Sequence, residues 1–134
     1  MNILFFLKPK SEIAFLYDDF SVRQALEKME FHRYTSVPII NRRGRYVGTI
    51  TEGDLLWFIK NKSELNLHSV EDVNIMQVQR KFDYNAISVN ANMEGLITNV
   101  VDQNFVPVID DDKIFIGIVT RKEIINYLYK NQKK

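Results

Sequence analysis

Apolar residues recur along this chain in two distinct rhythms. Val22, Ala25, Leu26 and Met29 fall at i, i+3, i+4 and i+7, one face of a helix that Ser21 is placed to cap. Met93, Leu96, Ile97 and Val100 repeat that face in the second half. The other rhythm is that of short strands. Ser36–Ile40 and residues 46–50 flank the turn Asn41-Arg42-Arg43-Gly44, which predicts a hairpin. Phe105–Ile109 and residues 114–119 predict a second one across Asp110-Asp111-Asp112-Lys113. Each hairpin leads into a further helix, with Leu55, Leu56 and Ile59 as apolar positions in the first and Ile124, Ile125 and Leu128 in the second. Extended segments at residues 13–17 and 86–89 precede the first helix of each half. Pro38 and Pro107 cannot donate to a ladder, which predicts that their strands start at an edge or beside an opening.

The two halves are in register. Pro38 maps to Pro107, Gly48 to Gly117, Thr51 to Thr120 and Asp54 to Glu123, each 69 positions apart (107 − 38) with no gap across the block. Each half is extended segment, helix, strand, strand, helix, and the loop before the second proline strand is two residues shorter. A half of about 55 residues buries too little apolar surface to stand comfortably alone. The expected architecture is therefore α/β (α+β), two pseudo-symmetric repeats packed sheet to sheet. Residues 1–60 form the first repeat, 61–83 a polar connector with a short helix near 69–73, and 84–134 the second repeat. Residues 131–134 are expected to fray. Ile3-Leu4-Phe5-Phe6-Leu7 is too short for a signal core or a membrane span and predicts an apolar strap on the body or on a partner subunit.

Composition narrows the function classes. The chain has 134 residues, 46% of them hydrophobic, and a formal charge of +1, so no general basic character argues for nucleic acid or a membrane. It has no cysteine, which excludes disulfides, thiolate metal sites and cysteine nucleophiles and fits a cytoplasmic protein. His32 and His68 are the two histidines, and neither has an acidic neighbour at metal-ligand spacing, so no metal site is expected. Arg42-Arg43-Gly44-Arg45 is a solvated hairpin turn. Trp57-Phe58 and Tyr127/Tyr129 occupy matched final helices, where core packing is the first expectation and a dimer face the alternative that the matched placement offers. There is no nucleophile–base pair and no Walker-type lysine loop, so no enzyme is expected.

The two proline-led strands, Ser36-Val37-Pro38-Ile39-Ile40 and Phe105-Val106-Pro107-Val108-Ile109, each precede a Gly-h-h-Thr-x-x-acid segment and a helix. Over nearly the whole chain this pattern resembles the tandem CBS domain pair, or Bateman module. The resemblance implies a stand-alone regulatory sensor that pairs into disc-like dimers. Its ligand would be an adenine nucleotide such as AMP, ATP or cyclic di-AMP, bound in clefts between the repeats with no further cofactor, and binding would alter contact with a regulated partner. The alternative is a structural dimerisation module without nucleotide.

Thr51-Glu52-Gly53-Asp54 and Thr120-Arg121-Lys122-Glu123 fit a capping box, in which the threonine oxygen and the acid satisfy free N–H groups. The same groups at a helix start suit an anion, and the acid suits ribose hydroxyls. Glu52 opposes a phosphate, whereas Arg121 and Lys122 stand in a first turn that disfavours cations. Those two either face an anion or point to water. The phosphate-competent site is therefore expected at Thr120, Arg121, Lys122 and Glu123, with Ala14, Tyr34, Thr35 and Pro38 supplied by the first repeat through family correspondence. Glu123 departs from the usual aspartate by one methylene. The other site would use Thr51 and Asp54 with Ile87, Asn104 and Phe105.

Overall fold

A computed structural model of the chain describes residues 2–63 and 66–132. Residues 64–65 of the expected connector and 133–134 of the expected frayed tail lie outside the described residues. In chain order the elements are β1 (Lys8–Pro9), β2 (Leu16–Tyr17), α1 (Val22–His32), β3 (Ser36–Ile40), β4 (Tyr46–Thr51), α2 (Glu52–Ser63), β5 (Ile87–Ser88), α3 (Met93–Val100), β6 (Phe105–Ile109), β7 (Phe115–Thr120) and α4 (Arg121–Gln132). They divide between two compact units, one made of Ala14–Asp83 and the other of residues up to Ile13 together with those from Tyr84 onward. The fold is mixed α/β, with four α-helices and two sheets among the described residues.

In the Ala14–Asp83 unit the sheet order is β2-β3-β4, with β2 parallel to β3 and β4 antiparallel. Val22, Ala25 and Met29 of α1 are buried with Leu16, Val37, Ile39 and Ile50, so the predicted helical face is the one that packs. Ser21 accepts from the Gln24 N–H, and the Gln24 side chain accepts from the Ser21 N–H, closing a capping box. The α1 helix ends at Arg33, which adopts the left-handed conformation at φ 58°. An arginine there hides a stop that a glycine would have announced.

The connector is docked rather than loose. Val22 and Arg23 N–H groups, two of the open donors of the first α1 turn, bond the carbonyls of Val73 and Glu71. Val70, Ile75 and Val78 are buried. The short helix expected near residues 69–73 is instead a pair of 3-10 turns at Leu67–Ser69 and Ile75–Gln77.

The second unit repeats the plan. Val37 pairs with Ile50 as Val106 pairs with Val119, and the register shifts after Ile39 in one sheet and after Val108 in the other. Its sheet, in the order β1-β7-β6-β5, gains β1 antiparallel to β7. Ile3 and Phe6 of the predicted strap are buried with Leu96, Val106 and Ile124, and the Phe6 ring lies 5.1 Å edge-on to Tyr127. The strap therefore completes the core that follows Tyr84.

The proline expectation holds at the strand starts: both proline strands are internal in their sheets, but β2 and β5 reach only Ile39–Ile40 and Val108–Ile109, so Pro38 and Pro107 face no ladder partner on that side. Two local expectations are corrected. Leu56, Ile125 and Leu128 are 49%, 54% and 37% exposed, whereas Leu55 and Ile124 are buried. Adjacent helical residues point about 100° apart, so one narrow stripe cannot hold both. Finally, Asn131 and Gln132 continue α4 instead of fraying.

Candidate functional site

Each Thr-x-x-acid segment lies where a strand passes directly into a helix, β4 into α2 and β7 into α4. The first N–H of each helix bonds a pre-proline carbonyl: Glu52 to Thr35 at 2.9 Å, and Arg121 to Asn104 at 2.9 Å. The repeat thus extends to the individual hydrogen bonds that place the candidate residues.

In the first copy the box is closed. The Asp54 N–H donates to Thr51 Oγ1 at 3.1 Å and the Thr51 N–H to Asp54 Oδ2 at 3.0 Å. Asp54 is buried, and its Oδ1 accepts from the Lys81 N–H at 3.2 Å. Tyr34 stacks on His32 with ring centroids 5.3 Å apart. Tyr34 and Glu52 also line a groove of about 770 Å³ where Glu27, Glu30 and Glu71 join Glu52 against Arg23 and Arg33. Four carboxylates against two guanidiniums make that groove a poor seat for phosphate. Ala14 is buried, and Pro38 of β3 pairs with Thr49 of β4.

In the second copy Thr120 Oγ1 accepts from the Glu123 N–H at 3.3 Å, and Glu123 remains exposed. Lys122 is exposed at the same helix start. Arg121 follows neither course expected of it: its Nε donates to the Val100 carbonyl at 2.8 Å, at the C-terminus of α3. Phe105 pairs with Thr120, and the Phe105 ring lies 4.9 Å from that of Tyr84, whose hydroxyl donates to Asn104 Oδ1 at 2.8 Å. Ile87 is buried in β5. Thr120, Arg121, Asn104 and Phe105 are thus brought together in one unit, and Thr35, Thr51 and Asp54 in the other.

Sequence reasoning missed Gln103 and Tyr84. Gln103 is buried, accepts from the Asn85 N–H at 2.7 Å and donates to the Asn85 and Phe105 carbonyls at 3.1 Å. A fully satisfied buried amide fixes the loop that carries Asn104. The repeat alignment held a clue, because Gln103 stands 69 positions after Tyr34, an amide in place of a ring.

The CBS domain family matches residues 7–61 and 71–130, and the chain belongs to it. Among solved structures it is similar to CbpB in complex with c-di-AMP, with a TM-score of 0.82, 26% identity, and coverage of 97% of this chain and 85% of that one. Among curated relatives it is 25% identical over 128 residues to the uncharacterized protein MJ1225 of Methanocaldococcus jannaschii, covering 87% of this chain and 46% of that protein. It is 29% identical over 122 residues to the A-adding tRNA nucleotidyltransferase of Aquifex aeolicus, covering 89% of this chain and 14% of the enzyme. The chain spans less than half the length of these two curated relatives. No helix among the described residues is long and apolar enough to cross a membrane.

Proposed function

We propose that this chain is a regulatory module, not an enzyme, that binds an adenine nucleotide and thereby changes its contact with a partner protein. The observation that carries the reading is the likeness, along 97% of the chain, to CbpB in complex with c-di-AMP. The second-repeat segment supplies the phosphate-side chemistry. Thr120 offers a hydroxyl and Lys122 an exposed cation at the start of α4, where the helix dipole favours an anion. Calorimetric titration with c-di-AMP, AMP, ADP and ATP, with GTP as control, tests it. One adenine nucleotide should bind, and the Thr120→Ala/Lys122→Ala variant should bind it at least tenfold more weakly while remaining folded. Absence of heat with all four, from folded and ligand-free protein, overturns the reading.

A second reading, a structural dimerisation module, is favoured by one observation. Ile125, Leu128 and Tyr129 form an exposed apolar stripe on α4. Sedimentation of the nucleotide-free protein distinguishes the two: a dimer unaffected by nucleotide supports this alternative.

A further inference from the structure

The groove of about 770 Å³ is walled by α1, the start of α2 and connector residues 67–71, all within the Ala14–Asp83 unit. Its residues sort by depth. Met29 and Leu55 are buried and Leu26 and Leu67 half-buried, which makes an apolar floor. Glu27, Glu30 and Glu52 are exposed and Glu71 is half-buried, so each wall adds a carboxylate to the rim. The two guanidiniums of the rim do not balance them. Arg23 Nε is taken up by Glu27 at 3.1 Å. Glu30 and Glu52 have no ion-pair partner among the described residues. Carboxylates gathered in this way repel one another, and a cationic occupant removes that repulsion. The apolar surface also continues past the rim. The Tyr34 ring, which lines the groove, stacks on His32 at 5.3 Å, and His32 meets the Phe31 ring edge-on at 4.9 Å. Phe31 is 82% exposed on α1, four residues on from Glu27. A phenyl ring in solvent, joined by ring contacts to an apolar floor, offers a partner more apolar surface.

An apolar floor with carboxylates from each wall fits an occupant that is apolar along one stripe and cationic on its flanks. That is the pattern of a basic amphipathic helix laid in a groove. Covering the floor gives affinity, and the rim selects the sign of the charge. We propose that this groove docks a basic amphipathic helix of a partner protein, its apolar stripe on the leucine and methionine floor and its cations toward Glu30 and Glu52. The groove includes neither Thr120 nor Lys122, so the proposal stands or fails separately from nucleotide binding at that segment.

The probe is a fluorescein-labelled peptide of about 18 residues, five helical turns, with leucine at i, i+3, i+4 and i+7 and lysine elsewhere. The full chain has a formal charge of +1 and does not attract a cationic peptide as a whole, so attraction reports on the groove. Fluorescence anisotropy should show saturable binding at submillimolar protein. The same peptide with its leucines moved to alternate positions, or with glutamate for lysine, should bind at least tenfold more weakly. The Glu30→Gln/Glu52→Gln variant and, separately, Leu67→Gln should each weaken binding at least tenfold, with circular dichroism confirming the fold. No saturation, equal binding of the rearranged peptide, or indifference to either variant would each overturn the proposal. Sedimentation of the chain alone tests the other occupant: self-association abolished by Leu67→Gln would place a second copy in the groove and overturn it as well.

Discussion

Arg121 Nε donates to the carbonyl of Val100 at 2.8 Å, so a residue in the first turn of α4 closes the last turn of α3. A cation at a helix N-terminus opposes that helix's dipole, but the same cation at a C-terminus is favoured and satisfies an open carbonyl. Arg121 stands at both ends at once. The electrostatic misfit visible in the α4 sequence disappears when α3 is considered, and the guanidinium becomes a structural strut between two helices.

Removing that strut costs stability before it costs binding. A hydrogen bond from a charged donor is worth about 1.5–3 kcal/mol, and partial exposure of Arg121 places Arg121→Ala at the lower end, at about 1.5 kcal/mol. Arg121→Lys keeps the charge near the α3 terminus and should recover part of the loss. Urea unfolding of the three proteins measures this. Equal stability of wild type and Arg121→Ala would mean that the strut contributes nothing and that the residue is held for another purpose.

Asp54 carries a larger structural share than its exposed counterpart Glu123. It accepts from Thr51 and Lys81 and is buried, so Asp54→Ala leaves two N–H groups without their acceptor and should destabilise the protein by about 2–3 kcal/mol. Glu123→Ala should cost less than about 0.5 kcal/mol, as expected for an exposed position. Comparing the two denaturation midpoints decides whether the repeated acids have diverged in role. Similar losses at both positions would refute the asymmetry.

Most of the repeat was legible because it is carried by features that sequence displays directly. The 69-residue offset, the proline strands, the hairpin turns and the Ser21 cap all depend on local pattern. Other features depend on contacts between distant parts of the chain. The acceptor of Arg121 lies on α3, and the strap of Ile3 and Phe6 finds its core beyond Tyr84. The Arg42 turn is exposed as expected, but sequence does not show that its guanidinium also bonds Asp19 and lies 3.7 Å over the Tyr17 ring. Helix faces were legible where the spacing was strict, in α1 and α3. They were misassigned where adjacent apolar residues left two faces to choose from, as at Leu55-Leu56 and Ile124-Ile125.

Gly48 and Gly117 occupy the same repeat position but differ in what a methyl group would meet. At Gly117 a Cβ would collide with the backbone carbonyl of Lys8 in β1, and φ is +154°, a conformation that side chains disfavour. At Gly48 it would come within 2.9 Å of the ends of the Arg80 and Asp83 side chains, which can move aside. Gly117→Ala should therefore cost at least about 2 kcal/mol and release β1, seen as faster amide exchange at Ile118. Gly48→Ala should cost about 1 kcal/mol or less, mostly by disturbing the Arg80–Asp83 pair. Reversal of that order would show that the connector is less yielding than the strap.

The Asp19–Arg42 pair gives an acid-limb signature. Arg42 donates to both Asp19 oxygens, from Nε at 2.8 Å and Nη2 at 3.0 Å. These hydrogen bonds, with a smaller charge contribution, hold the Asp19 carboxyl below its ordinary value of 3.8. A carboxyl whose pKa is depressed by folding adds stability above its unfolded value, and that stability is lost as the pH falls through the folded value. Both side chains are about half exposed, so the effect is small and weakens with salt. Asp19→Asn should therefore melt slightly below wild type at pH 6, and the gap should close as the pH falls below 3.8 and shrink in high salt. Scanning calorimetry of both proteins from pH 6 to strong acid measures it. A gap that does not change with pH would assign the Asp19 contribution to shape instead of charge. Arg42 would then be retained chiefly by its stacking on Tyr17, a contact that protonation of Asp19 leaves intact.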